Sequence, residues 1–259
     1  MKYKLLYLII SATLLGISIF GLFQWGLNLG IDFTGGVVAE YKFENGEIKT
    51  FKYQNLEDSE KQKIRDDFKS QNATELRFET VGPSIGPELI KKTVYALSIA
   101  TILILIWVAI QFKSIKFGVS AILAMLHDTT ILVGGFSLLG HFFGAEIDFL
   151  FVTAVLTILS FSVHDTIVVY DRIREKQKKE GGELKSIANS ALTETMNRSL
   201  NNSFTIIFML LSLVLLGGVT IKWFAIALLI GTISGTYSSP FVAVPILVAW
   251  DEWQKRFKN

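Results

Sequence analysis

Phe149-Leu-Phe-Val-Thr-Ala-Val-Leu-Thr-Ile-Leu-Ser-Phe-Ser-Val-His-Asp-Thr-Ile-Val-Val-Tyr170 carries one carboxylate, Asp165, and no lysine or arginine. A hydrocarbon layer of about 30 Å takes roughly 20 apolar residues of helix to cross, so the stretch reads as a membrane span that holds a charge. Similar runs stand at Leu5 to Leu29, Leu89 to Phe112, Phe117 to roughly Leu139, Met196 to Leu216 and Trp223 to Trp250. The 259 residues are 51% hydrophobic with a mean hydropathy of +0.45, and that apolar share is gathered into these runs. A soluble enzyme built on one core is excluded. The absence of cysteine removes disulfides, thiolate nucleophiles, iron–sulfur clusters and cysteine-based zinc sites. A net charge of +2 gives no pointer to nucleic acid, and none is expected as a partner.

Met1-Lys2-Tyr3-Lys4 ahead of the first run has the look of a signal peptide, but the run is too long and no Ala-x-Ala-like site closes it. It is expected to be span one. Six spans put both termini on one side. Lys2 and Lys4, Lys113 and Lys116, Arg172 to Lys179, and Lys255, Arg256 and Lys258 all fall there, which predicts cytoplasmic termini. Span five is unusual. Its strictly apolar part, Phe204 to Leu216, reaches only roughly 20 Å, so helix must be borrowed from Met196-Asn197-Arg198-Ser199-Leu200-Asn201-Asn202-Ser203.

The expected division is span one over 1–29, a small α+β extracytoplasmic domain over 30–88, and spans two to four over 89–170. A cytoplasmic basic loop with an amphipathic helix follows over 171–197, then spans five and six over 198–250 and a tail over 251–259. Within the insert, Val37 to Phe43 reads as a strand, Glu44-Asn45-Gly46 as a hairpin turn, and Glu47 to Tyr53 as the returning strand. Asn55 can cap a helix to about Gln71, with Leu56, Ile64 and Phe68 on one side, and Thr74 to Thr80 makes a third strand. Such a ββαβ unit is too short to bury much by itself. In the loop, Leu184, Ile187, Ala188, Ala191, Leu192 and Thr195 recur at helical spacing, as expected of a helix at the membrane interface.

The residues that spoil the hydrophobicity carry the functional reading. Span three holds His127-Asp128-Thr129 and span four His164-Asp165-Thr166. Carboxylates at that depth cost at least about 2.5 kcal/mol each, so they need water, a proton or a partner. Thr153, Thr157, Ser160, His164 and Asp171 form one polar stripe along span four, with Asp165 at its flank. Arg198 is the available cation. A proton or ion relay and a static Asp–Arg clamp between helices both fit these residues. A metal is not expected, because neither a Glu-x-x-His nor a His-x-x-x-His spacing is present. For both histidines, hydrogen bonding to neighbouring helices is the plain alternative. Gly231-Thr-Ile-Ser-Gly235, with Pro240 and Pro245 after it, reads as close helix packing with a kink, and no site is assigned there.

Several segments together resemble the SecF subunits of the SecD/SecF protein-export family. Gly30-Ile31-Asp32-Phe33-Thr34-Gly35-Gly36 is similar to the family's first signature, and Val81-Gly82-Pro83-Ser84-Ile85-Gly86 to its second. His127-Asp128, the run from Ser162 to Glu175, and Asn197-Arg198-Ser199 stand at the matching places. The resemblance covers nearly the whole chain. It implies an all-α polytopic membrane protein, half of a bundle like that of the resistance–nodulation–division transporters, with a small α+β extracytoplasmic domain. It also implies pairing with SecD beside the SecYEG channel, with YidC/YajC-type accessory proteins, unfolded preproteins and membrane lipids as further partners. The implied work is to couple the proton or sodium gradient to protein export and membrane insertion, in the cytoplasmic membrane of a bacterium or archaeon. Asp165 would then be the protonatable carboxylate, Arg198 its cationic partner and Asp128 a further relay candidate. Gly30, Asp32, Gly35, Gly36, Gly82, Pro83 and Gly86 would be signature residues serving as hinges or packing points.

Two departures stand out. His164 replaces the family's usual Asn before the span-four Asp, an imidazole that would either join the relay or alter the coupling ion. Residues 37–80 are also short for the family's outer domain, which points to docking rather than substrate contact. The alternatives are a scaffold stabilising SecD or an insertase, and a half-transporter for small lipophilic molecules. No enzyme activity and no cofactor are expected, since neither a Gly-x-Ser-x-Gly elbow nor a His-Glu-x-x-His is present.

Overall fold

The chain's helical hydrophobic pattern sets its architecture, seen in a computed structural model that describes residues 4–54, 56–82 and 85–256. After α1 (Lys4–Trp25) come a single turn, α2 (Ile31–Thr34), and a small insert of β1 (Gly36–Lys42), β2 (Ile48–Tyr53), α3 (Asp58–Ser70) and β3 (Thr74–Val81). The bundle continues with α4 (Ile85–Phe112), α5 (Ile115–Phe143), α6 (Phe149–Glu180), α7 (Leu184–Leu216), α8 (Val219–Ser238), a π-helical turn (Ser239–Ala243) and α9 (Val244–Arg256). Among the described residues six helical segments are long and apolar enough to cross a membrane, the sixth being α8 through α9. The protein is an all-α polytopic membrane protein with a small three-stranded α+β insert.

The sheet is antiparallel in the order β2-β1-β3. Asn45 and Gly46 (φ 79°) close the β1–β2 hairpin, with the Glu47 amide donating to the Asn45 side chain at 2.9 Å. Period-two alternation sends Val37, Ala39 and Tyr41 toward α3 and Val38 and Glu40 toward the bundle. Phe68 of α3 stacks on Tyr41 at 4.2 Å and meets Phe51 at 4.7 Å. Burial, and then the neighbouring Glu75 carboxylate, push the Tyr41 phenol up to about 12. Asn55, expected as the cap of α3, lies outside the described residues. The helix is capped by Glu57, whose side chain and that of Glu60 form a capping box.

The insert is tied to the bundle at one end. Leu29 and Ile147 form a parallel bridge, the Gly30 amide donates to the Ile147 carbonyl at 2.8 Å, and Ile147 returns a bond to Asn28 at 2.8 Å. Lys52 of β2 pairs with Glu146 at 2.5 Å.

At the opposite end the structure departs from the expected loop. α6 does not stop at Tyr170 and α7 does not start near Met196; the two run on as an antiparallel hairpin, turned by Gly181 and Gly182 at φ 63° and 97°. The reason is packing. Leu184, Ile187, Ala188 and Ala191 bury in the same core as Ile173 of α6, so their apolar stripe meets protein instead of a lipid surface. Glu194 then receives Arg172 at 2.5 Å and Lys176 at 2.6 Å, which neutralises part of the basic tract.

Candidate functional site

Close helix approach comes first, because short side chains reach across only where backbones nearly touch. A Cβ on Gly231 of α8 would collide with the Ile158 side chain of α6, and one on Gly235 would sit 3.3 Å from the Ser162 Cβ. The small-residue motif therefore does bring α6 against α8. Five residues beyond it, Pro240 lacks an amide, and the helix widens into the π turn. Serine hydroxyls fill that break: Ser239 bonds the Gly235 carbonyl at 3.2 Å and meets Thr166 at 2.9 Å.

Into this contact projects Asp128 of α5, with no exposed surface. Its Oδ2 accepts hydroxyls from Ser162 at 2.7 Å and Ser238 at 2.6 Å; its Oδ1 accepts Ser234 at 2.7 Å and lies 3.1 Å from His127 Nδ1. Successive helix positions diverge by about 100°, yet imidazole and carboxylate lean together here. Ser234 belongs to the very motif to which the sequence assigned no site. The His127 Nε2 is buried with no hydrogen-bond partner among the described residues.

Asp165 of α6, 4% exposed, lies one turn beyond Ser162. Its Oδ1 accepts the Ser199 hydroxyl of α7 at 2.7 Å, and its buried Oδ2 has no hydrogen-bond partner among the described residues. Ser199 in turn receives Ser203 on its carbonyl, and Ser203 receives Thr236 of α8 at 2.7 Å. Arg198 is next to Ser199 in sequence but faces elsewhere. It lines a cavity of about 570 Å³ with Asp171, Arg172, Glu175, Glu194 and Thr195, and among the described residues no ion pair joins it to Asp165. His164 is exposed, as are Thr153, Thr157, Ser160 and Asp171, so the polar stripe of α6 lies on an outer face of the bundle. Among the described residues no group of three or more His, Asp or Glu side chains converges as a metal site would.

The signature residues sit apart from these carboxylates, at the insert end. Asp32 of α2 accepts the Phe149 amide at 2.8 Å and Asp148 accepts that of Phe151 at 2.8 Å, so two carboxylates serve the exposed amides at the start of α6. Burial, and to a lesser degree the Asp32 charge, hold the Asp148 carboxyl above the usual carboxylate range, against the Phe151 amide. Gly35 caps α2 at φ 72°, and Gly36 adopts φ 121°, where an added Cβ would stand 2.7 Å from the Tyr53 carbonyl. Gly86 lets α4 start against the Phe33 backbone, Gly82 follows the end of β3, and Pro83 lies outside the described residues. Between sheet and bundle, Asp32, Glu40, Lys52, Arg77, Glu146 and Asp148 help line a cavity of about 600 Å³.

Residues 60–253 match the family described as protein export membrane protein SecD/SecF, C-terminal, and residues 20–47 match the SecD/SecF GG motif. The protein translocase subunit SecF of Thermobaculum terrenum is 42% identical over 274 residues, covering 89% of this chain and 86% of that protein. The SecDF subunit of Bacillus subtilis is 33% identical over 96% of this chain, which spans 37% of it. The crystal structure of SecDF from Thermus thermophilus, described as a translocon-associated membrane protein, superposes with a TM-score of 0.88 at 32% identity. That match covers 97% of this chain and 39% of the longer one.

Proposed function

The chain belongs to the SecD/SecF family of protein-export membrane proteins, and on that premise we propose that it forms one half of a gradient-driven export motor, paired with SecD. Both termini then lie in the cytoplasm, the insert lies outside it, and the pair works beside SecYEG with YidC/YajC-type accessory proteins. The coupling ion is the proton, with sodium as the alternative, and the work is export and membrane insertion of unfolded preproteins. No covalent chemistry is required of the chain.

One observation carries the reading: Asp165 is buried, yet only one of its two oxygens is satisfied. A buried carboxylate oxygen without a donor is costly as an anion, and a proton on Oδ2 removes that cost. Ser199 and Arg198 are neighbours on α7, about 100° apart. In the arrangement seen, Ser199 engages Asp165 and Arg198 turns to the Asp171–Glu194 cavity. Turning α7 toward the neighbouring position, with the long Arg198 side chain covering part of that angle, would exchange hydroxyl for guanidinium as Asp165 loses its proton. Protonation would thus bias which face of α7 meets α6, a two-state element of the kind that converts local charge into helix movement. Asp128 and His164 are subsidiary to this exchange. The exposed polar stripe of α6 supports pairing in the membrane, because five polar side chains facing hydrocarbon alone would be unfavourable.

The test is Asp165→Asn in membranes reconstituted with the partner subunit and channel. Gradient-stimulated precursor release is expected to fall at least about tenfold, as for other removed relay groups, with the complex still assembling. Normal release kinetics under an imposed proton gradient would sink the reading, and imposing sodium separately identifies the ion.

A further inference from the structure

We propose that His127, and not Asp128, is the proton-accepting atom of a second titratable centre in the bundle, with Asp128 as its fixed counter-charge. The proposal rests on the reading of this chain as a gradient-coupled subunit, and adds a site to it.

The argument starts from hydrogen-bond capacity. Asp128 accepts three serine hydroxyls and faces an imidazole nitrogen, all within 3.1 Å. A carboxylate has room for four donors. Three hydroxyls from α6 and α8 converge on the two Asp128 oxygens within 2.7 Å, with Ser238 also 3.3 Å from the Gly235 carbonyl. The constellation complements an anion. The remaining open position belongs to His127. Its Nδ1 faces Asp128, so that nitrogen carries the proton in the neutral ring, and Nε2 holds an unshared pair. Nε2, on a residue only 6% exposed, is buried and has no partner among the described residues. A proton arriving at Nε2 would make an imidazolium directly against a prebuilt anion, and the pair would gain no net charge beyond neutrality.

The surroundings suit that role. Tyr237 of α8 stacks near the imidazole with ring centres 6.3 Å apart; its hydroxyl bonds the Tyr7 carbonyl at 2.8 Å and meets Ser11 of α1 at 3.2 Å. Tyr7 and Ser11 lie near the start of α1. Other charges are remote or engaged. α1 has none between Leu5 and Trp25, while α4 keeps Glu88, Lys91 and Lys92 in its first two turns. α8 has only Lys222 in its first turn, α9 carries Asp251, Glu252, Lys255 and Arg256 with Asp251 paired to Lys116 and Lys255, and on α6 Asp165 is held by Ser199.

Nitrogen-15 spectra of histidine-labelled chain, assembled with its partner subunit in nanodiscs, test this directly, since the sequence holds three histidines. The His127 signal is the one removed by His127→Gln or, should that variant not fold, the one left in His141→Gln/His164→Gln. It is expected to start with the proton on Nδ1 and to gain a second on Nε2 as the sample is taken from alkaline to acid pH. Asp128→Asn is expected to abolish that step. A His127 ring that stays neutral across the range, or whose neutral form is protonated on Nε2, overturns the proposal. So does a step unchanged in Asp128→Asn. Because the spectra are read without transport, failure here leaves the Asp165 reading standing, and loss of the Asp165 reading in the export assay leaves these spectra interpretable.

Discussion

Ser162 on α6 gives its hydroxyl to Asp128 on α5 at 2.7 Å, only three positions before Asp165 on the same helix. One helix thus touches both buried carboxylates, and its α8 neighbour completes the first through Ser234 and Ser238. Removing one donor tests the strength of that cage. Ser238→Ala should lower stability by about 1.5–3 kcal/mol, the usual range for a hydrogen bond to a charged group. Thermal unfolding in nanodiscs reads it, and an unchanged midpoint would mean the hydroxyl is dispensable.

The approach of α6 and α8 sets whether those serines can reach at all. Gly231→Ala drives a methyl into Ile158, a β-branched side chain with little freedom to yield. We expect a loss of about 1–3 kcal/mol from overpacking. Ile158→Ala in the same chain should recover part of it, with a coupling energy of about 0.5–3 kcal/mol in a double-mutant cycle. Simple additivity would contradict the contact.

Lys52 and Glu146 tether the sheet to the bundle, but both side chains are partly exposed. Screening by solvent limits the pair to about 0–1 kcal/mol. Lys52→Glu is therefore expected to speed hydrogen exchange at the Leu29–Ile147 bridge without unfolding the bundle. Reversing both charges together should restore protection, and added salt should erase the difference.

Asp148 supplies a pH dependence with a definite sign. Its folded carboxyl lies above the ordinary value of 3.8, chiefly through burial. Its contribution is therefore complete below that value and is lost as pH rises through the folded one. Asp148→Asn keeps an acceptor for the Phe151 amide without the charge. The variant should gain stability relative to the native chain as pH climbs from about 4 to 7. Parallel unfolding profiles would show that Asp148 does not titrate in this interval.

The spans and the two intramembrane carboxylates were legible because hydrophobicity is written residue by residue, and Asp165 interrupts it. The hairpin was legible for the same local reason, in Asn45-Gly46. What encloses Asp128 was not. Its hydroxyl donors lie 34, 106 and 110 residues away, and serine inside a membrane helix is more often a packing residue than a ligand. A signal was present, since Ser234 and Ser238 stand four apart on one face of α8, directly within and after the glycine motif. Nor could spacing decide between Arg198 and Ser199 as the neighbour of Asp165: adjacent positions on α7 differ by a rotation that only packing fixes. The run of α6 beyond Tyr170, and the continuity of the loop helix with span five as one α7, were hidden by the basic tract, whose charges pair with Glu194 instead of ending the helix.

The length of α7 has a mechanical consequence. From Leu184 to Leu216 it contains neither glycine nor proline, and 33 residues make a rod of about 50 Å. Such a rod has no weak joint at which bending could absorb a torque. Levered about the Ser199 contact, a tilt of about 5° carries its tip, roughly 26 Å away, about 2 Å sideways. The tip ends at Gly217-Gly218, beside Thr220, Lys222 and Trp223 in the floor of the cavity beneath the sheet. A proton's arrival deep in the membrane would thus be delivered there as a stroke with leverage, at a distance from the charge that started it.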